Sequence, residues 1–252
     1  MDPTKRFSNR VENYVKYRPS YPAAVIDLLA AECGLSSDSI IADIGSGTGI
    51  LSQLFLKNGN RVFGVEPNTA MREAAEKLLA RFPAFLSVEG SAEATTLPDG
   101  SIDFVVAGQA FHWFDGRKAK REFKHILKRD GWTVLVWNER RLDTTPFLRS
   151  YENLLLKYGT DYPVVRHENI YGDIAELFAP NGYELRVFDN QQVFDFEAAK
   201  GRLLSASYAP APGHEYFDAM LHDLHSIFAK HQQSGSVTFE YETKVYFGRL
   251  AN

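Results

Sequence analysis

Three sets of residues in this chain have the types and the spacing to do chemistry. The first is Asp43-x-Gly45-x-Gly47-x-Gly49, within "ADIGSGTGIL". Glycines at this spacing let the backbone turn tightly, and a carboxylate just ahead of them suits a cationic group. The second is Glu66, 23 positions after Asp43 at the end of "NRVFGVE", where a carboxylate can accept both hydroxyls of a ribose. The third is "GQAFHWFD", Gly108 to Asp115, which sets one imidazole, His112, among Phe111, Trp113 and Phe114. Aromatic faces attract cations and exclude water, and an imidazole changes charge near neutral pH.

These groups act together only if the fold brings them to one edge. "SIIADIG" (39–45), "NRVFGVE" (60–66), "AFLSVEG" (84–90), "SIDFVVAG" (101–108) and "WTVLVWN" (132–138) read as buried strands. Between them, "GILSQLFLKNG" (49–59), "NTAMREAAEKLLARF" (68–82) and "RKAKREFKHILKRDG" (117–131) repeat apolar residues at helical spacing. This alternation predicts βαβ crossovers and a doubly wound, Rossmann-like parallel sheet covered on both faces. Past Arg140 the pattern turns irregular, with Pro146, Pro163 and Pro180. Residues 139–180 read as an insertion over the sheet's C-terminal edge. "YELRVFDNQQVFDF" (183–196) reads as a strand, a turn at Asp189-Asn190 and more extended chain, and "SVTFEYETKVYFGRL" (236–250) as a terminal strand.

The cofactor class follows from the loop. A dinucleotide fingerprint needs its third glycine at position 50, which is Ile50, so the loop is tight but wrongly spaced for a pyrophosphate. Glu66, Asp43 and the short polar turn in "EGSAEATTLPDGSID" fit a ligand with a ribose, an adenine and a charged amino-acid tail. The expected ligand is S-adenosyl-L-methionine. "DIGSGTG", "GVEPNTAM", "EGSAEATTLPDGSIDFVVAGQAFHWFD" and "FKHILKRDGWTVLVWN" resemble, in order and spacing, the class I S-adenosylmethionine-dependent methyltransferases. The type 11 domain and the trans-aconitate-methyltransferase-like group are the nearest likeness, and "VENYVKYRPSYP" resembles that group too. With this resemblance the expected fold class is α/β: a doubly wound, Rossmann-like, mostly parallel seven-stranded sheet with an antiparallel C-terminal strand and a helical lid insertion. No linker divides the chain, so 1–252 is expected to be a single methyltransferase domain. Its parts are N-terminal cofactor-covering helices (1–38), a cofactor-binding core (39–138), the lid (139–180), and C-terminal strands and helices (181–252).

The resemblance also implies roles. Gly45, Ser46, Gly47 and Gly49 would bring backbone against the methionine part of the cofactor, and Asp43 would face its amino group. Glu66 would hold the ribose diol. Pro67, Asn68 and Met71 would border the adenine, and Ser91, Ala92 and Glu93 its other edge. Gln109 and Ala110 would lie beside the sulfonium. Tyr14, Tyr17 and Arg18 would fold over the cofactor, with Arg18 or a tyrosine hydroxyl reaching its carboxylate.

Methyl transfer is a displacement at carbon, in which alignment matters most. Phe111, His112, Trp113 and Phe114 are the candidate acceptor-binding residues. His112 is either a general base for a phenol, alcohol or amine, or a structural imidazole that holds the loop; a carboxylate acceptor needs no base. The expected acceptor is a small molecule bearing a carboxylate, hydroxyl or amine. An RNA or protein methyltransferase, and a cofactor-binding protein without chemistry, are the rival readings. The formal net charge of −4 argues against a nucleic-acid partner. The basic run from Arg117 to Arg129 reads as a solvated helix face, and Asp218, His222 and His225 as surface groups, so no metal is expected. The single cysteine, Cys33, excludes an internal disulfide. With no apolar leader or membrane span in the sequence, a cytoplasmic monomer or homodimer is expected.

Overall fold

The apolar runs of the first half are β-branched and bounded by glycine or polar turn residues, which favours strands; the longer runs rich in Ala, Leu, Glu and Lys favour helices. The structure is a computed structural model and describes residues 15–162 and 170–251. In chain order it contains α1 (Ala24–Cys33), β1 (Ile40–Ile44), α2 (Ile50–Lys57), β2 (Arg61–Val65), α3 (Thr69–Leu79), β3 (Phe85–Val88), β4 (Ile102–Gly108), α4 (Gly116–Ile126) and β5 (Leu127–Arg140). The second half adds α5 (Pro146–Tyr158), α6 (Ile170–Phe178), β6 (Glu184–Phe194), α7 (Phe196–Leu204), α8 (Phe217–His231) and β7 (Val237–Gly248).

The seven strands form one sheet in the order β3-β2-β1-β4-β5-β7-β6. β1 to β5 are parallel, and β7 runs antiparallel to both β5 and β6. This is the α/β class that the sequence predicts. The chain winds outward from β1 to β3, then returns to place β4 on β1's other side. A crevice opens at such a reversal, beyond the carboxyl ends of the strands.

Successive strand residues point to opposite faces, and the core divides accordingly. Ile41, Val106, Val134 and Val136 pack with Val25, Leu29 and Phe55 on one face. Ala42, Val105, Leu135 and Trp137 pack with Phe123, Ile126 and Phe178 on the other. Each large apolar side chain buried this way contributes roughly 1.5–3 kcal/mol, so the two layers fix where β1 and β4 end. A third core lies past the sheet's C-terminal edge. There Tyr151 and Leu155 of α5, Leu203 of α7 and Leu224 of α8 surround Phe239 and Tyr241 of β7. Of the tyrosines in the insertion, Tyr151, Tyr158 and Tyr162 are buried here, while Tyr171 is exposed.

Two elements depart from the sequence pattern. α4 stops at Ile126, short of the expected end at residue 131, because Leu127 already pairs with Ile102 in the sheet. The register then jumps to Phe104 opposite Trp132. A Cβ on Gly131 would lie 2.7 Å from Leu127 Cδ2 and 3.0 Å from Lys128 O, so glycine eases the close return of the bulged chain. β6 runs straight through Asp189-Asn190, where the sequence predicts a turn. The Asn190 amide donates to Ser20 O at 2.8 Å and to Asn138 Oδ1 at 3.1 Å. The polar pair therefore serves an edge strand instead of ending it.

Asn138 is the hub of that contact. Its backbone exchanges hydrogen bonds with the Gln109 amide, its Nδ2 donates to Ser20 O, and its Oδ1 accepts from Thr243 Oγ1. The residue is 7% exposed, so removing its side chain strands buried partners. Asn138→Ala is expected to lower unfolding stability by about 1–3 kcal/mol, read from urea midpoints, and to speed amide exchange in the residues just after Ser20.

Candidate functional site

The turn from β1 into α2 is built from left-handed glycines. Gly45 has φ +66° and Gly47 φ +55°. A Cβ on Gly45 would lie 2.7 Å from Ala110 Cβ and 3.2 Å from the Phe114 ring, so this glycine allows the loop after β4 to close on the loop after β1. A Cβ on Gly47 would meet nothing within 4 Å. Its requirement is conformational, and the space beside it is open.

Backbone groups of this turn are held from β2. Val65 O accepts from both Gly45 N (2.9 Å) and Ser46 N (3.1 Å). Glu66 Oε2 accepts from Gly47 N at 3.0 Å, and Oε1 from Asn68 N at 2.9 Å. The carboxylate is thus fixed by two backbone donors, and each oxygen keeps a second lone pair. Burial raises the pKa of Glu66, and the two backbone donors oppose that rise. Asn68 caps α3 by accepting from Met71 N, and the Arg72 guanidinium donates to Glu66 O and Pro67 O. These contacts lock the segment that carries Pro67 and Met71.

Asp43 is wholly buried at the end of β1. Its Oδ2 accepts from Ser52 Oγ at 2.6 Å, and its Oδ1 has no partner among the described residues. Burial pushes its carboxyl up from 3.8 to about 7, with a smaller push from the Glu66 charge. An acid that sits half-satisfied against an open cavity is prepared for a cation.

The crevice has two compartments. The smaller one is lined by Arg18, Tyr21, Asp43, Ser46, Thr48 and Asn138, among others. The larger, about 230 Å³, is lined by Glu66, Pro67, Asn68, Met71, Ser91, Ala92, Glu93, Ala110, Trp113 and Phe114. Gly45, Gly47, Gly108 and Gln109 border both. One end of the crevice therefore offers charged and polar groups, and the other a thioether and aromatic rings. Such a shape suits one amphiphilic ligand with a zwitterionic tail and a flat base.

A family model described as a methyltransferase domain matches residues 42–135. An uncharacterized methyltransferase-like protein of Schizosaccharomyces pombe is 32% identical over 180 residues, covering 71% of this chain and 67% of its own. The chain belongs to the class I S-adenosylmethionine-dependent methyltransferases. A second S. pombe relative, an uncharacterized methyltransferase, is 27% identical over 249 residues, 96% of each chain. A methyltransferase structure from Anaeromyxobacter dehalogenans shares the fold at TM-score 0.67 and 21% identity, covering 94% of this chain and all of that one. Another, from Thiobacillus denitrificans, was solved in complex with S-adenosyl-L-homocysteine and superposes at TM-score 0.52, with 16% identity over 96% of this chain and 97% of that one.

The cofactor of this methyltransferase is S-adenosylmethionine. The residues of the crevice fit such a group: the orphaned Asp43 oxygen, the open space at Gly47 and the thioether of Met71 match its cation, its tail and its base. Of the residues that the sequence singles out, Arg18, Asp43, Gly45, Ser46, Gly47, Glu66, Pro67, Asn68, Met71, Ser91, Ala92, Glu93, Gln109 and Ala110 line the two compartments. Gly49 lies beneath, as the N-cap of α2. Tyr14 lies outside the described residues. Tyr17 faces the third core, its ring packed on Gly201 and edge-on to Phe194.

The aromatic run divides. Residues Phe111 to Trp113 form one 3-10 turn, which sends successive side chains in different directions. Phe111 is 2% exposed, in the core. Trp113 and Phe114 line the larger compartment. His112 lines a neighbouring cavity with Arg117, Lys120, Asp173 and Glu176, and borders neither compartment of the crevice. Sequence reasoning missed Tyr21 and Asn138. The signal for Asn138 was a polar residue closing the apolar run "WTVLVWN"; Tyr21 offered none.

Asp43 also yields a stability prediction. An acid whose folded pKa is raised binds its proton more tightly in the folded state, so it detracts from stability as pH rises from its unfolded value toward its folded one. Asp43→Asn is expected to melt at a higher temperature than the unmodified chain. The gap should open between about pH 4 and pH 7 and stay constant above. A gap independent of pH would mean that Asp43 is not a buried, destabilising acid.

Proposed function

We propose that the chain transfers the methyl group of S-adenosylmethionine to a small-molecule acceptor by in-line displacement. When bound, S-adenosylmethionine supplies a methyl group already activated by its sulfonium. The protein's work is to hold, align and exclude water. Asp43 offers the oxygen that has no partner among the described residues to the ammonium, and Arg18 a guanidinium to the carboxylate. Gly45, Ser46 and Gly47 present backbone to the tail, and Gly49 starts the helix behind it. Glu66 accepts from the ribose hydroxyls with its remaining lone pairs. Pro67 and Met71 on one side, and Ser91, Ala92 and Glu93 on the other, enclose the base. Gln109 and Ala110 border the junction where the two compartments meet.

The observation that carries this reading is the two-compartment crevice itself, polar at Asp43 and Arg18 and apolar at Met71 and Phe114. The described lining residues bear three carboxylates, Asp43, Glu66 and Glu93, against one guanidinium, Arg18. That balance repels a phosphate backbone and favours a small acceptor. Trp113 and Phe114 give an aromatic wall that suits a sulfonium. Phe111, turned inward, supports that wall edge-on to Phe114 at 5.8 Å between ring centroids. His112 sits in the neighbouring cavity, so its proposed role is to hold the loop.

Titration calorimetry with S-adenosylhomocysteine tests the cofactor half. Binding is expected, and Glu66→Ala should weaken it by about 1.5–3 kcal/mol, the range for hydrogen bonds to a charged group. A cation beside Asp43 keeps its carboxylate ionised, whereas without ligand the proton returns near pH 7. Affinity should therefore fall roughly tenfold from pH 8 to pH 6, and the fall should vanish in Asp43→Asn. No heat in the unmodified chain would end this reading.

A labelled-methyl screen over small acids, phenols and amines tests the acceptor half. With whichever acceptor turns over, His112→Ala is expected to change kcat less than about threefold, with an unaltered pH profile. A loss of roughly 10²–10⁴-fold, the span of a general base, would make the imidazole the base instead.

A further inference from the structure

The third core buries two guanidiniums. Arg140, at the end of β5, has its charge matched: Glu152 pairs with it, and the Tyr162 hydroxyl accepts from Arg140 and donates to Glu152. Arg202, in the last turn of α7, is different. It is 7% exposed, and among the described residues no carboxylate pairs with it. Its one side-chain hydrogen bond runs from Nε to the Tyr241 hydroxyl at 3.2 Å. The terminal nitrogens, which hold most of the donors, bond to no described residue. The C-terminal end of α7 supplies at most a fractional opposite charge.

The surroundings of Arg202 suit an anion. Tyr151 and Tyr241 lie in the same buried core as α7, with Tyr208 packed against it, and all three phenols are electrostatic neighbours of the Arg202 guanidinium. Tyr241 is committed, since its hydroxyl donates to Gln192 Oε1 at 3.0 Å. The Tyr151 and Tyr208 hydroxyls donate to no described residue. Phenol donors in the same core as an unmatched guanidinium, itself a fork of parallel N–H donors, suit a carboxylate. A buried cation is retained against its desolvation cost only where something compensates it, and nothing in the described protein does so here.

Hydrogen bonds tie the end of α7, which carries Arg202, to the crevice. Arg18, which lines the smaller compartment, donates from Nη2 to Ser205 O at 3.0 Å, and Ser205 Oγ donates to Arg202 O at 2.7 Å. Asn138, on the crevice wall, stands opposite Thr243; two residues further along the same strands, Arg140 stands opposite Tyr241. The same sheet face thus runs from the crevice to the Arg202 fork. We propose that Arg202, with Tyr151 and Tyr208, is the specificity site of the acceptor and receives a carboxylate that the methyl acceptor carries. This inference rests on the methyltransferase reading of the crevice.

Thermal unfolding of the full chain saturated with S-adenosylhomocysteine is the test. Succinate, benzoate and citrate are added separately, with inorganic phosphate as the comparison anion. At least one carboxylate is expected to raise the midpoint by 2 °C or more, and phosphate by less. Arg202→Met should abolish that rise, keep S-adenosylhomocysteine affinity within twofold, and melt no lower than the unmodified chain without carboxylate. The last result separates a ligand site from a structural one, because an apolar residue of similar size replaces an unmatched buried charge without loss. Should Arg202→Met fail to fold, Tyr208→Phe carries the test by reducing the carboxylate rise at unchanged basal midpoint. A carboxylate rise that persists in Arg202→Met, or no carboxylate rise in the unmodified chain, overturns the proposal; a rise with phosphate alone overturns the carboxylate assignment. Failure of S-adenosylhomocysteine to bind the unmodified chain overturns the reading of the crevice instead.

Discussion

The carboxylate of Glu66, clamped between Gly47 N and Asn68 N, is the contact on which the crevice depends. It ties the left-handed turn after β1 to the end of β2, strands whose last residues are neighbours in the sheet. Val65 O reinforces the tie by accepting from Gly45 N and Ser46 N. With the turn fixed, Gly45 can sit against Ala110 and Phe114, which closes the crevice from the β4 side. Glu93 extends the same logic, since its Oε1 accepts from Asp115 N at 2.8 Å. The loop after β3 thereby holds the start of α4, and with it the aromatic turn. Four loops, those after β1, β2, β3 and β4, are registered in pairs by carboxylate-to-backbone bonds, which are short and directional.

Rigidity on this scale has a cost, and it falls on Asp43. A carboxyl buried at the end of β1 with one oxygen unpartnered opposes folding at neutral pH, as its raised pKa records. The two apolar layers of the sheet supply what offsets it. Val105, Val106, Val134 and Leu135 are wholly buried, and these central strands pack on both faces. The hydrophobic core thus supports an acid that is poor for stability and well placed to hold a cation. Stability and site are distributed to different elements: strand interiors bear the first, strand ends the second.

The same division explains what the sequence discloses. Asp43, the glycines and Glu66 are legible because each belongs to a local event, a strand ending in a tight turn, whose residue requirements are short-range. The parallel, doubly wound class of the sheet follows from the alternation of runs, by the general rules for crossover connections; the strand order is seen only in the fold. Asn138 and Tyr21 are not legible in this way. Asn138 receives its meaning from Ser20, Asn190 and Thr243, brought together only when β5, β6 and β7 pair. The aromatic run is an intermediate case. Its composition marks the loop, yet a 3-10 turn distributes Phe111, His112 and Trp113 to a core, a neighbouring cavity and the crevice. Composition alone carries no facing. The Asp189-Asn190 pair misleads for a similar reason: its turn chemistry is real, but full-length pairing of β6 with β7 outweighs it.

Asp43 and Arg202 are opposite in sign and alike in situation. Each is buried, and each has, among the described residues, a single side-chain hydrogen bond, to a neutral hydroxyl. Left alone, both charges oppose folding; matched by a ligand of opposite charge, both favour the folded state. Binding that compensates a buried charge is linked to stability by mass action. Arg18 connects the two regions, since it lines the Asp43 compartment and donates to the carbonyl of Ser205, three residues past Arg202.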